Sequence, residues 1–154
     1  MQPKIVNRPA FTVIGYCYHG KNQNQEIAKM WGEFVQRLGE IQTNNEYETF
    51  GVCSIPPGLP EGDFEYVAGM QTAEDAPVPE GMVKRTIPAY QYAVFEHVGA
   101  LATLGETYRS IHEVGLPQAG LKPLEDGLDM EVYDDRVFND FSPESILYLY
   151  VPVK

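Results

Sequence analysis

The scarcity of positive charge narrows this sequence first. It carries 11 Lys and Arg against 22 Asp and Glu, a formal net charge of -11, with a pI of about 4.6. Recognition of a phosphate backbone needs a basic surface, so no direct nucleic-acid binding by this chain is expected, and no docking on anionic membranes. The acidic balance favours attraction of cations, although most such charge serves solubility. Only two cysteines occur, Cys17 and Cys53, with no CxxC spacing. That suits buried reduced thiols in a cytoplasmic protein better than a disulfide framework. His19, His97 and His112 are scattered, with no HxxxH motif and no Cys/His cluster in the sequence, so no metal is expected. Nor is there a P-loop, a GxGxxG or a GxSxG, and no cofactor is expected. Met1-Gln-Pro-Lys4 opens no apolar run, so no signal peptide is expected. No apolar stretch approaches the roughly 20 residues that cross a bilayer.

The chain is well supplied with aromatics: 10 Tyr, 7 Phe and 1 Trp in 154 residues that are 44% apolar. That length fits one domain or two small intimate halves, with enough apolar residues for a real core. A buried phenol needs a hydrogen-bond partner, so an excess of Tyr suits a wall that is part apolar and part wet, such as a pocket or an interface.

Phe11-Thr-Val-Ile-Gly-Tyr-Cys-Tyr18 is β-branched and aromatic and reads as a strand within an opening segment from Lys4. Asn24 is placed to cap a helix over Glu26–Ile41, in which Ile27, Met30, Trp31, Phe34, Val35, Leu38 and Ile41 form one apolar stripe. Strands follow over 47–54 and 64–70, then a Pro-rich loop over 72–79. The second half repeats the order of elements. A strand spans Met82–Val98, and Leu101, Leu104, Tyr108 and Ile111 mark a helix stopped by Gly115 and Pro117. Strands over Asp129–Tyr133 and Ile146–Val153 complete it, with Pro152 at an edge or strand end. Pseudo-repeats of about 1–78 and 79–154 are therefore expected within one domain, 1–154. Two strand–helix–strand–strand units imply an α+β fold with an antiparallel sheet and two helices on one face.

The chain centres on Leu128-Asp-Met-Glu-Val-Tyr-Asp-Asp-Arg-Val-Phe138, read as a strand that turns at Asp134-Asp135. Side chains alternate along a strand, so Glu131 and Tyr133 share one face and Met130 and Val132 the other. A carboxylate among aromatic rings suits an organic cation. Glu96, inside Val94-Phe-Glu-His-Val98, is a second carboxylate in an apolar run; paired with Glu131 it could do acid/base work or hold a cation, but an edge-of-sheet or solvent-facing position explains it better. His97 reads as a structural strand-end residue and His112 as a residue on the rim of its helix.

Three stretches resemble the GyrI-like, or AraC-type effector-binding, domain family. They are Tyr92-Ala-Val-Phe-Glu-His-Val-Gly99, Asp129-Met-Glu-Val-Tyr133 and Leu149-Tyr-Val-Pro-Val153. The resemblance covers essentially the whole chain and implies a pseudo-twofold pair of units around a central ligand groove. In that family the module binds ligands in several AraC- and MerR-type multidrug regulators and also occurs alone. A glutamate in the penultimate strand commonly meets cationic aromatic ligands, and Glu131 matches that position. With strand one beginning near residue 5, no DNA-binding domain is expected ahead of it, and the expectation is a stand-alone multidrug-binding member: a free drug-binding or sequestering protein, or the ligand module of a two-chain transcription regulator.

The resulting expectation is a binding module for hydrophobic, cationic aromatic compounds. Glu131 would be its anion, and Tyr133, Tyr148, Tyr92, Phe50, Tyr16 and Trp31 its candidate rings. Alternatives are a hydrolase of electrophilic aromatic compounds using Glu131 and a Tyr, a toxin antagonist, or a protein-interaction or homo-oligomer surface on the open sheet face.

Overall fold

A computed structural model describes residues 2–99, 103–134 and 146–154. In chain order its elements are β1 (Lys4–Arg8), β2 (Phe11–Gly20), α1 (Glu26–Phe34), β3 (Glu48–Ser54), β4 (Phe64–Thr72), β5 (Val83–Ile87), β6 (Tyr90–Val98), α2 (Leu104–Ser110), α3 (Leu116–Gln118), β7 (Asp129–Asp134) and β8 (Ile146–Pro152). The fold is α+β and every strand pairing described is antiparallel. The chain divides into two compact units, Ala10–Pro88 and Met1–Pro9 with Ala89–Lys154.

The division differs from an expected boundary at 78/79. The strand expected over Met82–Val98 is two strands, and they pair in different units: β5 with β2, and β6 with β1 and β8. Pro88 stands between them and Pro9 between β1 and β2. Proline has no N–H and a fixed φ, so each ends a ladder at the point where the chain leaves one unit for the other. Inside each unit the strand order is the same. It reads β3-β4-β2-β5 in one and β7-β8-β6-β1 in the other, the strand beside β2 being the last of its unit in sequence and the strand beside β6 the first of its unit.

In the Ala10–Pro88 unit, Ile14, Tyr66, Ala68 and Met70 of the sheet pack with Phe34 of α1 and with Ile41. Full burial of such side chains contributes about 1.5–3 kcal/mol each. The helix is shorter than the expected Glu26–Ile41: it tightens to a 3-10 turn over Val35–Glu40, and Val35 leaves the stripe, 38% exposed. Asn24 is not its cap. Gln25 takes that position in the left-handed conformation (φ 59), and the Asn22 side chain accepts the Ile27 N–H at 3.0 Å. On β2, a Cβ at Gly15 would stand 1.8 Å from the Ala68 carbonyl oxygen, so only glycine permits this approach to β4.

In the other unit α2 does not stop at Gly115. It passes through a π-helical turn, Ile111–Gly115, into α3. Pro117 lies in the first turn of α3, directly after the π-helical turn. The helix ends at Gly120, φ 71, with the Leu121 N–H on the Leu116 carbonyl at 2.9 Å. Pro152 is the last residue of β8. Leu101 of the expected stripe and the turn beyond Asp134 lie outside the described residues. No described helix is long and apolar enough to cross a membrane.

Candidate functional site

β7 is buried on both faces: Met130 is 0% exposed, Glu131 7%, Val132 1% and Tyr133 6%. Register shows which face Glu131 occupies. It stands opposite Leu149 of β8, and Leu149 stands opposite Phe95 of β6. Phe95 and His97 share a face, and the Nδ1 atom of His97 lies 2.7 Å from the hydroxyl of Thr107 in α2. Glu131 therefore sits on the helix-bearing face of its sheet. The Tyr133 hydroxyl donates to Glu131 Oε1 at 2.7 Å. Two residues apart on one strand, the pair meets because the strand period is two. A phenol donor stabilises the charged carboxylate and fixes its direction. Asp129, next on that face and half-buried, has its carboxyl raised by burial, with His112 opposing the shift.

The other candidate rings have varied settings. Tyr92 and Tyr148 lie on the opposite face of the same sheet, since Tyr148 pairs with Val132 and Glu96, and Tyr92 alternates with Ala93 and Phe95. Tyr92 is fully buried between Tyr90 and Tyr150, with ring centroids at 5.6 and 5.4 Å. Its hydroxyl has no hydrogen-bond partner among the described residues, and burial pushes the phenol well above its ordinary pKa. Tyr148 borders a shallow hollow with Lys4, Val94 and the exposed Glu96. In the Ala10–Pro88 unit, Phe50 is fully buried against Phe11, with centroids 5.4 Å apart, on the face away from α1. Tyr16 and Trp31 do come together: both rings meet Phe34, at 5.5 and 5.8 Å, and the Trp31 indole donates to the Tyr66 hydroxyl at 2.9 Å. Arg37 already stacks on Tyr16, 5.5 Å from the ring centroid, and donates to its hydroxyl at 2.8 Å. A cation of the protein itself thus occupies the Tyr16 ring.

A polar cluster that the sequence did not disclose lies on the face of that unit away from α1. His19 of β2 stands directly opposite Glu65 of β4, with Cys17 two residues before it and Arg85 on β5. The Arg85 guanidinium donates to both Glu65 oxygens, at 3.2 and 3.4 Å. Burial raises the Glu65 carboxyl, but hydrogen bonds from Arg85, His19 and Cys17 outweigh it and bring the pKa down to about 2. Burial, reinforced by the Glu65 carboxylate, pushes the Cys17 thiol up to about 11. The signal available in the sequence was Cys17-x-His19 at strand spacing; its third member is 46 residues from His19.

The model of the GyrI-like small molecule binding domain matches residues 1–154. This chain belongs to that family. The GyrI-like domain is 39% identical over 154 residues to the transcriptional regulator BrlR of Pseudomonas aeruginosa, covering 99% of this chain and 56% of the regulator. It thus spans about half the length of that relative. Its fold is similar to that of SAV2435, solved bound to tetraphenylphosphonium, with a TM-score of 0.79 at 20% identity over 100% of this chain and 94% of that one. It is similar also to EcmrR in a complex with DNA, with a TM-score of 0.73 at 15% identity over 99% of this chain and 57% of that one.

Proposed function

We propose that this small-molecule-binding domain takes hydrophobic, cationic aromatic compounds, and that Glu131 supplies the charge that holds them. One observation carries the reading: a carboxylate 7% exposed, aimed by a tyrosine hydroxyl, on the helix-bearing face of a sheet. Removing a carboxylate from water is costly, and a lipophilic cation offsets that cost by pairing with it. Tyr133 adds a ring beside the charge. Each ring facing a cation contributes about 0.5–2 kcal/mol. The tetraphenylphosphonium in the SAV2435 structure is a ligand of this chemical class, which supports the reading. Tyr92 and Phe50 take packing roles in it. The 56% share of BrlR and 57% share of the DNA-bound EcmrR chain support a role as the effector-sensing part of a transcription regulator.

The test is a titration of tetraphenylphosphonium and of neutral triphenylphosphine oxide into the wild type and Glu131→Gln. The variant keeps shape and removes charge. It is expected to weaken the cation about tenfold or more, equivalent to about 1.4 kcal/mol, and to leave the neutral compound nearly unchanged. Equal affinity of the two proteins for the cation would remove the role of Glu131.

The Tyr133–Glu131 contact also favours a second reading, hydrolysis of electrophilic aromatic compounds. Glu131 would act as base and Tyr133 as acid, within hydrogen-bond reach of each other. Slow disappearance of such a substrate, abolished by Tyr133→Phe, would distinguish it from binding alone.

A further inference from the structure

Among the described residues, one group of side chains brings three different metal-binding atoms together: Cys17, His19 and Glu65. The Cys17 Sγ and His19 Nε2 atoms are 3.7 Å apart, Cys17 Sγ and Glu65 Oε1 3.4 Å, and His19 Nε2 and Glu65 Oε1 2.9 Å. Zinc bonds sulfur at about 2.3 Å and nitrogen or oxygen at about 2.0–2.2 Å, so a tetrahedral ion sets its sulfur donors about 3.6 Å from the others, and nitrogen about 3.3 Å from oxygen. The sulfur separations here already match within about 0.2 Å. Only the nitrogen–oxygen pair must open, by about 0.4 Å, as the ion replaces the proton shared between them.

We propose that Cys17, His19 and Glu65 form a site for a thiophilic divalent cation of the zinc class. Strand geometry builds it. Cys17 and His19 project from one face of β2, and antiparallel register puts Glu65 directly across from His19. The surrounding groups leave the donor atoms converging. Arg85 Nε and the Ser54 hydroxyl hold Glu65 Oε2, at 3.4 and 3.5 Å, so Oε1 is the oxygen turned toward the sulfur and imidazole. Such outer partners orient a metal ligand. Arg85 Nη2 lies 3.2 Å from Oε1 and 3.9 Å from the sulfur, a positive charge that the thiolate and carboxylate together outnumber. The His19 side chain is 48% exposed, which gives the ion a path from solvent. Binding displaces the thiol proton, and three protein donors leave a fourth position for water. The site is independent of Glu131, which belongs to the other compact unit.

Cobalt(II) is the probe, added to the reduced, metal-stripped chain. One equivalent is expected to produce a thiolate-to-cobalt charge-transfer band that zinc(II) bleaches by displacement. Cys17→Ser is expected to abolish the band, and His19→Ala and Glu65→Gln to weaken zinc at least tenfold. Cys53→Ser is the control and leaves the band intact, because Cys53 packs on the α1 side of the sheet. A wild type without the band, a band that survives Cys17→Ser, or one lost in Cys53→Ser would overturn the site. Should Cys17→Ser not fold, His19→Ala decides it, since the half-exposed His19 can be truncated without opening the core. Undiminished zinc affinity in that variant would be equally fatal.

Discussion

The Ala10–Pro88 unit keeps its helix-bearing sheet face apolar and aromatic, with Ile14, Tyr16, Tyr66 and Met70 beneath Phe34, and puts Cys17, His19, Glu65 and Arg85 on the other face. The other unit places acids on its helix-bearing face: buried Glu131 and half-buried Asp129 lie there with His97, among the apolar Phe95 and Leu149. Both units nevertheless use one strand order. Strand order is set by backbone pairing and by where the chain turns, whereas the chemistry of a face is set by alternate side chains. One topology therefore carries two chemistries with no change of path.

The largest expected effect exploits the glycine contact found on one side of this comparison. Gly15→Ala forces a Cβ to within 1.8 Å of the Ala68 carbonyl oxygen and is expected to cost about 3 kcal/mol or more in urea unfolding. The reciprocal change, Ala93→Gly on β6, where Ala93 faces Val151, is expected to cost only about 1 kcal/mol. Similar losses for the two would mean the β2–β4 approach relaxes freely.

A smaller effect attaches to the acid on the helix-bearing face. Tyr133→Phe removes a donor to a charged acceptor and is expected to cost about 1.5–3 kcal/mol of stability, read from the urea midpoint at constant m. No change in midpoint would show that the phenol contributes nothing to holding Glu131.

The smallest effect concerns pH. Asp129 is raised by burial, so its ionised form opposes folding: the penalty is present above its folded pKa and vanishes below the unfolded one. Asp129→Asn is accordingly expected to raise the melting temperature slightly at pH 7, with the gain fading as pH falls into the acidic range. A gain that grows in acid would mean that ionised Asp129 favours folding. Glu65, held ionised by Arg85 in the other unit, illustrates the opposite case.

Much of the architecture was legible in residue order. The apolar stripe through Ile27, Met30, Trp31 and Phe34 marked α1, and the alternation of Asp129–Tyr133 marked β7 and the shared face of Glu131 and Tyr133. Helix and strand periods are local, so short stretches encode them. The end of α2 is not legible in Gly115 and Pro117, which break a helix only where the backbone cannot absorb them, and a π-helical turn absorbs them here. The pairing of β1 with β6 and of β5 with β2 was hidden because Met82–Val98 reads as one run, and partner choice between strands depends on contacts across the fold.

The residues of this chain by themselves determined its class, its antiparallel strands and helices, its acidic balance, and the common face of Glu131 and Tyr133. Tertiary structure alone decided that Glu131 is buried on a helix-bearing face, that Tyr92 and Tyr148 stand on the opposite one, and that His19 meets a carboxylate 46 residues away. The physical reason is that periodicity orients a side chain relative to its own strand, whereas burial and proximity depend on which other strands pack there.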